Sequence, residues 1–299
     1  MSAQKEAVIM SLKNVLQNWS HFRRDYEDGG HHEYEHMWGM VVDLDKCIGC
    51  NACAVACYAE NNLAVVGKER FEKGHAMHWM RVERYWDEPD LGEERVADFQ
   101  HHGASFMPMN CQNCNAAPCE PVCPVMATYH TPDGLNAQVY NRCIGSRYCS
   151  NNCPYRLRYF NFWSYYESSW PKPLDMQLNP DISVRDKGVM EKCTFCVQRI
   201  RAAKDKAMRE DRQLQDQEFN PACVQTCPTS ALVFGDLLSI YNPQSGNLAS
   251  KASQLWRKHQ IELGKTRQNK QNPDLRGYRV FEDLNTDPKI MYLERVREV

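Results

Sequence analysis

Residues 47–57 read Cys47-Ile-Gly-Cys50-Asn-Ala-Cys53-Ala-Val-Ala-Cys57, a C-x2-C-x2-C-x3-C run. The second run is Cys111, Cys114, Cys119 and Cys123. The third is Cys143, Cys149 and Cys153, with Ser146 where the spacing asks for a cysteine. The fourth is Cys193, Cys196, Cys223 and Cys227, with a 26-residue insert before its third member. These runs use all 15 cysteines of the chain.

Three thiols at steps of three in one loop can each take a corner of an iron–sulfur cube, and the fourth cysteine of such a run points away toward a neighbouring cluster. Proline usually follows that fourth cysteine, as Pro124, Pro154 and Pro228 do here; Tyr58 follows Cys57 instead. Two runs extend to C-P-x-x-A, Cys123 to Ala127 and Cys227 to Ala231, which marks an internal repeat. Structural zinc takes two separated pairs, not three thiols in one loop. A disulfide framework belongs to small secreted domains, and the first run is too tight to cross-link usefully.

The chain has 299 residues, 42% hydrophobic, with net charge -2. Mean hydropathy is -0.65 and the sequence pI about 6.6, so there is no nucleic-acid footprint. The thin core makes metal binding part of folding. No apolar run approaches a membrane span. No signal peptide is visible: Asp25 and Glu27 follow Arg23-Arg24 where an apolar stretch would be needed. Cluster assembly needs reduced thiols, so the chain is expected to fold in the cytoplasm and, if it works outside, to be carried across by a partner.

Val8, Leu12, Val15, Trp19 and Phe22 form one helix face, for its own domain or for a partner. His31, His32 and His36 follow in a polar loop with no second ligand cluster nearby. Strands are expected at Met37–Asp45, His78–Trp86, Ala231–Phe234, Gly277–Phe281 and Ile290–Glu294, and a hairpin at Ala127–Tyr140 around Asp133-Gly134. Residues 87–105 read as a loop and 170–190 as a linker. The aromatic run 159–166 either shields a cluster or meets another subunit. Arg199, Arg201, Lys204, Lys206 and Arg209 read as a solvated helix face. Lys46, Arg142 and Lys192 precede the first cysteine of three runs and Asn110 that of the second; such cations either raise a cluster's potential or are ordinary surface side chains.

Four runs in this order, the last opening Lys192-Cys193-Thr-Phe-Cys196, resemble the four-cluster electron-transfer subunits of molybdopterin-type oxidoreductases such as polysulfide, dimethyl sulfoxide and nitrate reductases. Glu60-Asn-Asn, Met77-His-Trp and Val139-Tyr-Asn-Arg-Cys143-Ile-Gly-Ser146-Arg-Tyr-Cys149 narrow the resemblance to the iron–sulfur parts of alternative complex III and of the quinone reductase complex of sulfate reducers. It implies an α+β fold of two ferredoxin-like dicluster modules: 37–100 with 190–240, and an inserted 101–189. Residues 1–36 would be an N-terminal helix and loop, and 241–299 a C-terminal extension.

The resemblance also implies the ligand sets. Cys47, Cys50, Cys53 and Cys227 would hold one [4Fe–4S] cluster; Cys193, Cys196, Cys223 and Cys57 a second; Cys111, Cys114, Cys119 and Cys153 a third. Cys143, Cys149 and Cys123 remain for the last site. Serine is a poor iron ligand beside thiolate, so Ser146 leaves a vacant slot and a [3Fe–4S] cluster is expected there. No catalytic residue is expected. The implied partners are a large molybdopterin-like subunit, an integral membrane quinone-binding subunit and a multihaem cytochrome c. The implied place is peripheral on the membrane, on the periplasmic or alternatively the cytoplasmic face. Two other readings stay open: a subunit of a true molybdenum reductase for sulfur compounds, and a free-standing ferredoxin carrier.

Overall fold

The computed structural model describes residues 36–86, 104–164, 172–216, 218–239, 250–259 and 276–296. The expected N-terminal helix, His31 and His32, and most of the 87–105 loop lie outside the described residues.

Strand β1, Trp38–Asp43, is buried along its whole length. Such a strand needs cover on both faces. Trp38, Met40 and Val42 enter the main core on one face. Val41 alternates to the other, where it meets Met291 and Leu293 beneath Leu255 and Trp256. Those two belong to helix Lys251–His259.

Three further strands complete this sheet. Leu232–Asp236 pairs antiparallel with β1, Ile290–Leu293 pairs parallel with it on the other side, and Gly277–Tyr278 closes the edge beside Ile290–Leu293. The stretch expected as a C-terminal extension thus supplies two strands to the sheet that leads into the first cysteine run.

Met80–Trp86 forms strand β2 as expected and pairs antiparallel over seven residues with Ala104–Asn110, β3. Residues 104 and 105, expected in a loop, begin β3, and the whole of β3 went unpredicted. Pro108 has no N–H to give, and a proline counts against a strand unless it lies at an edge; β3 is such an edge. The expected hairpin is present as β4, Thr128–His130, and β5, Asn136–Gln138. A last pair joins Tyr159–Phe160, β6, to Met190–Glu191, β7.

The segment expected as a linker is tied into the core. Asn62 Nδ2 donates to the carbonyls of Asn179 (2.8 Å) and Ile182 (2.7 Å), and Arg185 forms a buried ion pair with Glu191 at 3.0 Å. The described part of the aromatic run is half-buried: Phe162 packs on His75, and Arg147 covers Phe160. Tyr165 and Tyr166 lie outside the described residues. Among the described residues no helix is long and apolar enough to cross a membrane.

Candidate cluster sites

The first and third runs fold alike because they share local constraints. Gly49 (φ 69°) and Gly145 (φ 74°) turn the loops. A Cβ at Gly49 would lie 2.4 Å from the Phe106 ring, and one at Gly145 would lie 2.5 Å from the Gly188 carbonyl oxygen. Both positions therefore exclude a side chain. Asn51 and Arg147 then open helices in left-handed conformation: α1, Ala52–Glu60, and α2, Tyr148–Asn151. In the fourth run Cys196 does the same for α3, Val197–Arg209.

The C-P-x-x-A repeat also has a physical basis. The residue before each alanine, Met126 or Ser230, has positive φ. The amide of Ala127 then donates to the Cys123 sulfur at 3.1 Å, and that of Ala231 to the Cys227 sulfur at 3.3 Å. Burial alone would raise both thiols. Backbone donors at Val125, Ala127 and Thr128, and at Leu232, Ala231 and Thr229, outweigh it, and both end below the usual thiol value.

The fold gathers the thiols by fours and threes. Cys47, Cys50, Cys53 and Cys227 line one pocket. Cys123, Cys143 and Cys149 line another, with Ser146 in its wall. Cys57 is buried among Cys193, Cys196 and Cys223, and Cys114 among Cys111, Cys119 and Cys153. Burial first, and each other's charge next, pushes Cys57, Cys114 and Cys223 strongly up; burial also takes Cys196 and Cys119 each to about 12, against the Ala222 amide at Cys196 and the Arg158 charge at Cys119. Packed like this, the thiols can all ionise only around a cation, and the groups fit an iron–sulfur cluster. All fifteen cysteines are free, which disposes of the disulfide framework. Among the described residues no three His, Cys, Asp or Glu side chains converge on a single ion.

The groups adjoin one another. Cys53 acts electrostatically on Cys223, Cys111 on Cys193, and Arg158 on both Cys119 and Cys149. The order of groups is therefore Cys47, Cys57, Cys111, Cys143, naming each by one member. The end groups reach the surface, where Cys50 is exposed and Ile48 and Ile144 are 59% and 67% exposed. Of the two middle groups, the Cys57 group is wholly buried, and the Cys111 group has Cys114 and Cys119 buried with Cys111 and Cys153 partly exposed.

Polar donors surround the middle sulfurs. Asn61 Nδ2 donates to Cys57 (3.6 Å) and Cys196 (3.8 Å), and Asn110 Nδ2 to Cys193 (3.6 Å). Lys192 Nζ lies 3.4 Å from the Cys111 sulfur, and Arg158 Nη1 3.4 Å from that of Cys119. Of the cations that precede a run, Lys46 is half-exposed and paired with Asp43, and Arg142 donates to the Met126 carbonyl. Lys192 alone is fully buried. Asn61 stands in the Glu60-Asn-Asn stretch that marks the resemblance, but neither it nor Arg158 could be assigned a sulfur from the sequence, because nothing near them in the chain says which sulfur they face. On α3, Arg199 and Lys204 are not solvated as expected: they pair with Glu60 and Asp133. Arg201, Lys206 and Arg209 are exposed.

Thiol groups of this number and arrangement define an iron–sulfur electron-transfer protein, and residues 46–127 match the 4Fe-4S dicluster domain family. The chain is 39% identical over 267 residues to the menaquinone reductase iron–sulfur cluster-binding subunit of Nitratidesulfovibrio vulgaris, covering 88% of this chain and 91% of that one. It is 36% identical to a putative dimethyl sulfoxide reductase iron–sulfur subunit of Halobacterium salinarum, over 67% of this chain and 66% of that one. It is 34% identical to an Hdr-like menaquinol oxidoreductase iron–sulfur subunit of Archaeoglobus fulgidus, over 67% of this chain and 71% of that one. The chain belongs to the family of iron–sulfur electron-transfer subunits of quinone and molybdopterin-type oxidoreductases.

Proposed function

We propose that this chain is a four-centre wire between a membrane quinone site and a second redox subunit. The observation that carries the reading is the unbroken series of thiol groups with a surface opening at each end. Cys47, Cys50, Cys53 and Cys227 hold the first [4Fe–4S] cluster; Cys57, Cys193, Cys196 and Cys223 the second; Cys111, Cys114, Cys119 and Cys153 the third. Cys123, Cys143 and Cys149 hold a [3Fe–4S] cluster, since Ser146 offers no thiolate for a fourth corner. Two ferredoxin-like modules, repeated in the matching Gly49 and Gly145 turns, carry them.

Clusters bound in these sites supply one-electron transfer. The protein's share is to hold them in series, to exclude water from the second of them, and to present each terminal loop to a partner. Burial of Cys57, Cys193, Cys196 and Cys223 serves the second task. Exposure of Ile48 and Ile144 serves the third. Kinship with menaquinone and molybdopterin-type systems supports partners of this general kind, and the reading takes them to be an integral membrane quinone-binding subunit, a large molybdopterin-like subunit and a multihaem cytochrome c. The complex sits on the periplasmic face, and this chain crosses the membrane folded, with its large partner.

Purification of the native complex tests this, with identification of its chains and haems and iron analysis of this subunit. Co-purification with a membrane subunit and about fifteen irons per chain is the expected result. A stable monomer without partners would overturn it. Fractionation of cells lacking the large subunit tests the export route: this chain should then stay in the cytoplasm.

A further inference from the structure

The two middle groups differ in the charge around them. The Cys57 group receives only neutral side-chain hydrogen-bond donors at its sulfurs among the described contacts, the amides of Asn61 and Asn110, while Lys192 acts on Cys193, and Arg199 on Cys196 and Cys223, through their charge without donating to a sulfur there. The carboxylate that acts on it, Glu60, is paired with Arg199. The Cys111 group receives two cations. Lys192 is 0% exposed, and its Nζ is held 3.4 Å from the Cys111 sulfur by the Cys193 carbonyl (2.8 Å) and Asn113 Oδ1 (3.4 Å). Arg158 is 4% exposed. Its Nη1 points at the Cys119 sulfur, and its Nη2 is fixed by Thr128 Oγ1 at 2.8 Å and by Gln138. Glu120 also acts on Cys119, but it is paired with His130.

A reduced cluster carries one more negative charge than an oxidised one, and a fixed cation in a low-dielectric interior favours the reduced form. Neutral donors do the same more weakly, because a charge-assisted hydrogen bond is roughly twice as strong.

Building on the ligand sets proposed above, we infer that Lys192 and Arg158 are potential-setting residues. They place the Cys111 centre above the Cys57 centre in reduction potential, so that the wire has a step between its two middle sites. One electron crossing that step leaves the Cys57 centre oxidised and the Cys111 centre reduced, with no bond made or broken. Lys192 lies on the boundary between the two, and Arg158 extends the same bias toward Cys149.

The test is a potentiometric titration of the native complex followed by electron paramagnetic resonance. The Cys57 centre is identified as the signal altered in Cys57→Ala. In the wild type the Cys111 centre should be reduced first; the opposite order overturns the inference. Lys192→Gln should lower the reduction equilibrium of the Cys111 centre by about tenfold, about 59 mV for one electron, and leave the Cys47 centre unmoved. Lys192→Arg should keep most of the wild-type value. An equal shift at all centres, or none, would refute the role of Lys192. Should Lys192→Gln fail to assemble, Arg158→Gln gives the same readout, and the wild-type order decides alone. Iron and sulfide analysis separates the two levels: missing clusters defeat the proposed function, whereas a full complement with reversed potentials defeats only this inference.

Discussion

Lys192 and Asn110 hold exchanged positions: each precedes the first cysteine of one run, and each donates to the first cysteine of the other. Lys192 reaches Cys111 at 3.4 Å, and Asn110 reaches Cys193 at 3.6 Å. The second and fourth runs are therefore locked in register at the centre of the molecule. Asn110 is 1% exposed, so its amide has no water to replace the sulfur. Asn110→Leu removes the donor from Cys193 and should lower the potential of the Cys57 centre, the opposite partner to the one Lys192→Gln affects. Redox titration of the two variants side by side would show whether each moves a different signal.

In the proposed ligand set Ser146 decides the nature of the last cluster. Ser146→Cys would offer a thiolate to the corner that the proposed three-iron cluster lacks, as iron in such clusters prefers sulfur. The oxidised wild type should show the paramagnetic signal of a three-iron cluster, and the variant should lose it while gaining about one iron per chain. A wild type silent in the oxidised state, with about sixteen irons, would count against the three-iron assignment.

Cys57 belongs by sequence to the first run and by position to the fourth. Cys57→Ala should abolish or convert the centre of Cys193, Cys196 and Cys223 and spare that of Cys47. Spectra in which only the Cys47 centre changes would contradict the proposed pairing.

The Arg185–Glu191 pair is almost wholly enclosed, at 1% and 3% side-chain exposure. Asn161 adds a hydrogen bond to Glu191 at 3.1 Å, and Arg185 lies over the Trp79 ring. Arg185→Ala leaves a carboxylate buried without its counter-charge, a loss of about 3–5 kcal/mol. Denaturant-induced loss of the visible cluster absorbance should come at markedly lower denaturant than in the wild type.

Hydrogen bonding from Arg199 holds the Glu60 carboxyl below its usual value, with Gln198 adding to the effect against the cost of burial. A carboxyl depressed in the folded state contributes stability above its unfolded pKa, about 4.3, and loses it as pH falls through the folded value. Glu60→Gln should cost about 1 kcal/mol near neutrality and almost nothing well below pH 4. Unfolding curves at both pH values check this; an equal cost at each would exclude the ion pair as the source.

What could be read from the sequence was local. Cysteine spacing, the Asp133-Gly134 hairpin and the strand into Cys47 depend on neighbours within a few residues, and each stands where expected. β3 was hidden by Pro108, which argues against a strand unless the edge position is known. Lys46 and Lys192 occupy the same slot before a cysteine, yet one is at the surface and the other wholly enclosed; burial at a single position is set by what packs over it. Asn62, Asn179 and Arg185 converted an apparent linker into core through contacts far apart in the chain, which no window of sequence contains.

Ile290–Leu293 lies parallel against Met40–Asp43, the strand that delivers the Cys47 loop. During synthesis that flank of β1 has no partner until nearly the whole described chain has emerged, and an open strand edge invites pairing with any other chain. The sheet that leads into the first cysteine run is thus completed only by the strand that comes last in the described chain. A chain cut before Ile290 would carry all fifteen thiols and still leave one flank of β1 unpaired beside the Cys47 loop.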